Sequence, residues 1–230
     1  MGLRGRHVTQ GSCKIKDQCK NDQRKNDQRK NKGANQVELC GRYVTLIEEV
    51  AKRQPNTILE IGTHNGNSAI AMVKEALKYN EDVFYYGFDI FDWSNTKFMK
   101  QEFNGKKPPT LNAAKSRLNK RKIPHELIVG NTVSTLKKFS PTRCIDFVFI
   151  DGGHSLETIE SDWNHIKYFM DKKTVVIFDD YYENRDDFGC KKLIDNLQTT
   201  HRYNIKKLDP IEHIEKNDIV LRLVKVTKNG

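Results

Sequence analysis

Hydrophobic and polar positions along this chain switch between two periods. Val37, Leu39, Tyr43, Leu46, Ile47, Val50 and Ala51 recur at helical spacing, which predicts an amphipathic helix leading into a folded domain. Pro55 and Asn56 end it. Five short runs rich in β-branched and aromatic residues then follow, over 57–61, 83–88, 126–129, 145–150 and 174–178. Such runs, bounded by turn-formers, fit strands buried on both faces of a parallel sheet. Helical spacing returns between them: over 68–78, then with Leu156, Ile159, Trp163 and Ile166 on one face, then with Leu193, Ile194 and Leu197. Two closely spaced runs at the end, 203–208 and 219–226, flank a polar turn and read as a hairpin. This order predicts an α/β fold, a doubly wound, mostly parallel, seven-stranded sheet with an antiparallel strand at its end. The interval 90–122, which contains Phe91, Trp93, Phe98, Phe103, Pro108 and Pro109, is too long for a plain helix connection. It reads as a lid or binding element, or equally as a surface elaboration.

The strand pattern also points to chemistry, because in open α/β sheets ligands sit beyond the carboxyl ends of the strands. The run Phe147-Val148-Phe149-Ile150 ends in Asp151, and Val175-Val176-Ile177-Phe178 ends in Asp179 and Asp180. Three carboxylates at two strand exits form a candidate cation site, with helix capping by Asp151 and Asp180 as the alternative. The first strand runs through Glu60 into a turn with glycines at Gly62 and Gly66, followed by Ser68 at a helix start. Such a turn lets a ligand approach the backbone and the helix N-terminus. Glu60 would repel a pyrophosphate but suits an ammonium or sulfonium charge, which argues against a nicotinamide dinucleotide. Asp89 closes the next strand, 27 residues after Gly62, where a carboxylate can accept hydrogen bonds from both hydroxyls of a ribose. A solvated turn aspartate is the other reading of Asp89.

Composition adds an appendage. The formal net charge is +10, and residues 1–33 hold ten Lys or Arg against three Asp, so most of the excess lies there. This segment repeats Asn-Asp-Gln-Arg-Lys at 21–25 and 26–30 and has too few apolar residues to offset the entropy of folding. Residues 1–34 therefore read as a disordered basic tail, and 35–230 as one domain. No run approaches the ~20 apolar residues of a membrane span. The first thirty residues lack the apolar centre of a secretory leader, which leaves a cytoplasmic location as the expectation. Cys13, Cys19, Cys40, Cys144 and Cys190 form an odd, scattered set without a C-x-x-C pair, so neither a disulfide framework nor a zinc site is expected. Cys144, next to the fourth strand, reads as a packed thiol.

Through LEIGTHNGNS, the GFD strand exit and the final strand pair, the chain resembles the class I S-adenosylmethionine-dependent methyltransferases over roughly residues 36–227. The resemblance implies a cofactor site built from Glu60, Gly62, Thr63, His64, Gly66, Ser68, Asp89, Asn131 and Asp151. Glu60 would hold the amino group directly or through water, Asp89 the ribose, and Asn131 the adenine. His64 departs from the family pattern, standing where a middle glycine is commoner, and Asn131 stands where an acid is common.

Within that superfamily, DFVFIDGGHS and VVIFDDYY resemble the metal-dependent O-methyltransferases of the catechol and macrocin types. This resemblance implies Mg²⁺, or another divalent cation, held by Asp151, Asp179 and Asp180, with catalysis by Asp151 and His154. Catechol-type relatives carry a lysine at the offset of His154. A bound cation would lower the pKa of a substrate hydroxyl, and His154 would serve as general base or as a capping or packing residue. Tyr181, Tyr182, Phe91 and Trp93 would line an acceptor pocket or cover the sheet. The expected partner is a small hydroxylated substrate. The basic tail keeps open a nucleic-acid methyltransferase, although Asp151-Gly-Gly-His154 stands where base-modifying relatives carry an N/D-P-P-Y/F type motif. A non-catalytic cofactor-binding domain is a further alternative.

Overall fold

The computed structural model describes residues 41–92, 102, 109–215 and 218–229. The basic tail, Trp93, Phe98, Phe103 and Pro108 lie outside the described residues. Helix α1, Arg42–Arg53, precedes strand β1, Thr57–Ile61, which is followed by α2, Asn67–Ala76, and β2, Phe84–Asp89. Next come α3, Leu111–Asn119, then β3, His125–Val129, and the short α4, Thr132–Thr135. The chain continues through β4, Phe147–Ile150, α5, Leu156–Phe169, β5, Val175–Tyr182, and α6, Lys191–Thr199. It closes with β6, Tyr203–Lys207, β7, Glu212–Ile214, and β8, Ile219–Lys228.

The strands make one sheet in the order β3-β2-β1-β4-β5-β8-β6, with β7 also on β8. Strands β1 to β5 pair in parallel, and β8 runs antiparallel to β5, β6 and β7. The expected seven strands become eight because the polar turn of the final hairpin itself contributes β7. The antiparallel pairing stands at this end of the sheet as expected, with β6 and β8 forming the final antiparallel pair. The crossover through α6 carries β6 parallel to β5, and β8 inserts between them. The chain's direction in the sheet reverses between β1 and β4, the kind of switch point at which an open α/β sheet leaves a crevice.

Strands β1 and β4 are buried along their whole length, while edge strand β3 is half-exposed. Leu59, Ile61, Val148, Ile150 and Phe178 face Trp163 and Ile166 of α5 and Ile194 of α6. The alternate residues Ile58, Tyr85, Phe147 and Phe149 are equally buried on the opposite face. There Tyr43 of α1 meets Phe149 edge-on, with ring centroids 6.2 Å apart. Lys225 of β8 reaches Glu49 of α1 at 2.8 Å.

The structure bears on three expectations, and overturns the one for Cys144. The long interval 90–122 contains α3, whose short apolar stripe buries only Ala114 and Leu118 and is easily missed by periodicity. Cys144 is exposed, because it precedes β4 in an irregular segment; Cys190 is the buried thiol. Tyr181 is packed in the core with its hydroxyl 2.9 Å from Asp195, and Phe91 is fully buried, so neither lines an acceptor pocket. Among the described residues no helix is long and apolar enough to cross a membrane.

Candidate active site

The exits of the parallel strands are stitched together by backbone hydrogen bonds. Gly62 and Thr63 donate to the Phe88 carbonyl at 2.8 and 3.2 Å, Gly130 to that of Asp89 at 2.9 Å, and Asp151 to that of Ile61 at 2.9 Å. The β1 and β4 exits approach so closely that a Cβ on Gly62, where φ is +95°, would lie 1.9 Å from the Asp151 carbonyl oxygen. Glycine is required there by contact as well as by conformation. His64 takes φ 47°, in the left-handed region that favours glycine but that histidine enters more readily than most side chains, which is how the turn accommodates its departure from the family pattern.

A crevice opens at this point, lined by Gly62, Asp89, Gly130, Asn131, Thr132 and Gly153 with apolar floor from Ile61 and Phe88. Asp89 sits at its rim. Its Oδ2 accepts from the His64 amide at 2.6 Å and its Oδ1 from the Phe91 amide at 3.0 Å. Burial raises its pKa even though these amides and His64 favour the charged form. The Asn131 side chain caps α4 by accepting from the Val133 amide at 2.9 Å. A shallow depression over α3, lined by Asn112, Lys115, Ser116, Asn119 and Lys120, carries no carboxylate.

Glu60 and Ser68 meet behind the turn. Glu60 is fully buried, with its two oxygens accepting from the hydroxyls of Ser68 and Tyr85. Thr63 Oγ1 lies 3.0 Å from the Tyr85 hydroxyl, completing a small buried network. Burial outweighs these donors and pushes the Glu60 carboxyl up to about 8 from an ordinary 4.5. Between those pH values the folded chain holds a proton that the unfolded chain has released, so stability falls as pH rises through that window. The slope reaches at most about 1.4 kcal/mol per pH unit. Glu60→Gln cannot ionise and is expected to flatten this part of the profile. Urea midpoints of both proteins at about pH 5.5 and about pH 8 test it, and equal pH dependence in the two would show that Glu60 does not titrate there.

The second cluster stands beyond β4 and β5. Strand β5 does not stop at the acids as its sequence implies. It continues to Tyr182, and a register shift against β8 between Phe178 and Tyr181, with φ 58° at Asp180, sets the carboxylates at the end of the β4 pairing. The charges of both Asp179 and Asp180 act on Asp151, and burial with these charges pushes the Asp151 carboxyl well above the usual range. His154 Nε2 lies 3.0 Å from Asp180 Oδ2, and the Tyr182 hydroxyl donates to Asp180 Oδ1 at 2.9 Å. Burial opposes the charge on Asp180, yet His154, Arg42 and Tyr182 hold its pKa below the ordinary value. The capping alternatives fail: Ser155 caps α5 by accepting from Thr158 at 3.2 Å, and the cap position of α6 is Cys190.

Sequence reasoning missed two residues that organise this cluster. Arg42 donates from Nε to Asp179 Oδ1 at 2.6 Å and from Nη2 to Oδ2 at 2.8 Å. The Tyr43 hydroxyl lies 2.9 Å from Asp151 Oδ2 and 3.1 Å from Asp179 Oδ2. Tyr43 was visible only as one apolar member of a helical stripe, and the partners of Arg42 are more than a hundred residues away.

A family model described as a methyltransferase domain matches residues 59–181, from β1 through β5. No curated protein matches the chain. Among solved structures, the O-methyltransferase TomG from Streptomyces achromogenes, in complex with SAM, superposes with TM-score 0.61 at 15% identity, covering 97% of this chain and 93% of that one. The Bacillus cereus O-methyltransferase in complex with SAH gives 0.60 at 14% identity, covering 96% and 94%. SAH-bound PaMTH1 from Podospora anserina gives 0.57 at 14% identity, with both chains covered fully. The chain belongs to the methyltransferase domain family whose model spans its β1 to β5, and its fold is that of the class I S-adenosylmethionine-dependent methyltransferases.

Proposed function

We propose that the protein transfers a methyl group from S-adenosylmethionine to a hydroxyl of a small molecule. The observation that carries this reading is the adjacency of two units at the carboxyl ends of the parallel strands: the glycine-bordered crevice with Asp89 at its rim, and the His154–Asp180 pair beyond β4 and β5. The crevice residues fit the cofactor. Asp89 offers a carboxylate to two ribose hydroxyls, the glycine turn admits the ligand to the backbone, and Gly130, Asn131 and Thr132 border the space for the base. When bound, the cofactor supplies an electrophilic sulfonium methyl group. Solved structures of similar fold are O-methyltransferases described as SAM or SAH complexes.

The chain's own contribution is positioning and deprotonation. With its Nε2 3.0 Å from Asp180 Oδ2, His154 is the group that takes the proton of the acceptor hydroxyl. Asp180 orients the ring and stabilises the imidazolium that forms. Holding acceptor and donor together can remove roughly 7–11 kcal/mol of barrier.

Magnesium does not fit the carboxylates as they are arranged. Both Asp179 oxygens accept from Arg42, both Asp180 oxygens have protein partners, and Tyr43 bridges Asp151 to Asp179. Among the described residues no three acidic, histidine or cysteine side chains are disposed to hold an ion. No step of the mechanism is therefore assigned to a metal.

Labelled-methyl transfer screened across hydroxylated metabolites tests the proposal. Incorporation into at least one hydroxyl is the expected result. RNA is screened alongside because of the basic tail, and labelling of RNA alone would replace the small-molecule reading.

A further inference from the structure

We infer that Arg42 is the resident cation of the acid cluster: its guanidinium takes the place that a divalent ion would fill among Asp151, Asp179 and Asp180, and closes the cluster to metals. The inference rests on the site described above but not on the identity of the acceptor.

Arg42 is held from two sides. Besides the two-pronged contact to Asp179, its Nη1 donates to Glu212 Oε2 at 2.7 Å and its backbone amide to Glu212 Oε1 at 2.7 Å. Asp179 comes from β5 and Glu212 from β7, so one side chain at the start of α1 joins two separate strands. The Arg42 side chain is 14% exposed and that of Asp179 1%. A planar fork on a carboxylate is the geometry in which arginine binds most specifically. The chain is built closely around this contact: a Cβ on Gly41 would lie 1.8 Å from Glu212 Oε1, so the residue before Arg42 must be glycine while Glu212 stays in place.

Mg²⁺ needs near-octahedral oxygen ligation and keeps several waters, so it requires carboxylate lone pairs that face open space. Asp179 offers none in that direction, because both its oxygens point into the guanidinium. Tyr43 adds a hydroxyl between Asp151 and Asp179, where an ion bridging them would sit. Entry of an ion would displace the guanidinium from Asp179, strand Glu212, and leave two cations side by side. The positive charge that metal-assisted relatives import is here covalently attached.

The test uses the full-length chain and Mn²⁺ as the probe, followed by electron paramagnetic resonance and calorimetry. Wild type is expected to bind no stoichiometric Mn²⁺ at millimolar concentrations. Arg42→Gln removes the charge and the fork and is expected to bind one Mn²⁺ at least roughly tenfold more tightly than wild type; adding Asp179→Asn should abolish the gain. A stoichiometric, Asp179-dependent Mn²⁺ site in wild type overturns the inference. So does a folded Arg42→Gln chain that excludes Mn²⁺ as wild type does. If Arg42→Gln does not fold, Arg42→Met, of similar length and without charge, takes its place, and the wild-type titration retains its power to refute. S-adenosylhomocysteine is titrated in parallel. Its failure to bind would count against the methyl-transfer reading and leave the Mn²⁺ result standing.

Discussion

Asp89→Ala is expected to weaken S-adenosylhomocysteine binding by roughly 100-fold or more. A hydrogen bond to a charged group contributes about 1.5–3 kcal/mol, and a carboxylate at this strand exit can receive two from a ribose. Burial of Asp89 increases the effect, because water replaces the lost partner poorly. The same side chain also accepts from the amides of His64 and Phe91, so part of any loss would come from a reshaped turn. A 2′-deoxyribosyl analogue separates the two contributions. Wild type should bind the analogue more weakly than S-adenosylhomocysteine, whereas Asp89→Ala should bind both about equally. Calorimetry that finds the same discrimination in both proteins would reduce Asp89 to a strut of the turn.

The distribution of what was legible follows from the range of each interaction. Strands β1, β2 and β4 were readable because buried parallel strands are rich in β-branched and aromatic residues, as Thr57–Ile61 and Phe147–Ile150 are. The exits at Gly62, Asp89 and Asp151 followed at once, since the site of an open α/β sheet is a matter of strand polarity. Strand β5 was read too short. Local pattern treats Asp179 as a terminator, but Tyr181 and Tyr182 go on pairing with Arg222 and Leu221 of β8 after the bulge. That bulge is a tertiary event, as is the insertion of β8 between β5 and β6.

The acid cluster shows the same limit at the level of chemistry. Sequence placed Asp151, Asp179 and Asp180 together and identified their need for a positive partner. It read that partner as a metal because carboxylates at these two strand exits resemble the metal-holding acids of metal-dependent O-methyltransferases. The partner is Arg42, 137 residues from Asp179 along the chain, delivered by a helix whose buried stripe includes Leu46 and Val50. Glu60 was likewise placed correctly at the strand exit, but its full burial behind Ser68 and Tyr85 could not be read from a five-residue strand. Thus the positions of the charged groups were legible, and their pairings were not.

Those pairings decide the final expectation. His154→Ala should lower methyl transfer by roughly 10²–10⁴-fold while S-adenosylhomocysteine affinity changes little, because a positioned general base acts on the reacting proton and not on the cofactor. The imidazole is fixed by Asp180 at 3.0 Å and by an edge-on contact with Phe188, whose ring centroid is 5.3 Å away. Asp180 is in turn fixed by Tyr182. Asp180→Asn leaves the base in place and loses its orientation, so it should cost less than the loss of His154 itself. The pH profile distinguishes a base from a packing residue. Without His154 the reaction must use the fraction of acceptor hydroxyl that ionises unaided, so the residual rate should climb about tenfold per pH unit below the hydroxyl's own pKa. In wild type, where His154 takes the proton, the rate should not follow the ionisation of the hydroxyl in this way. A His154→Ala protein whose rate is reduced but whose pH profile parallels wild type would assign His154 to packing and require another group to take the proton.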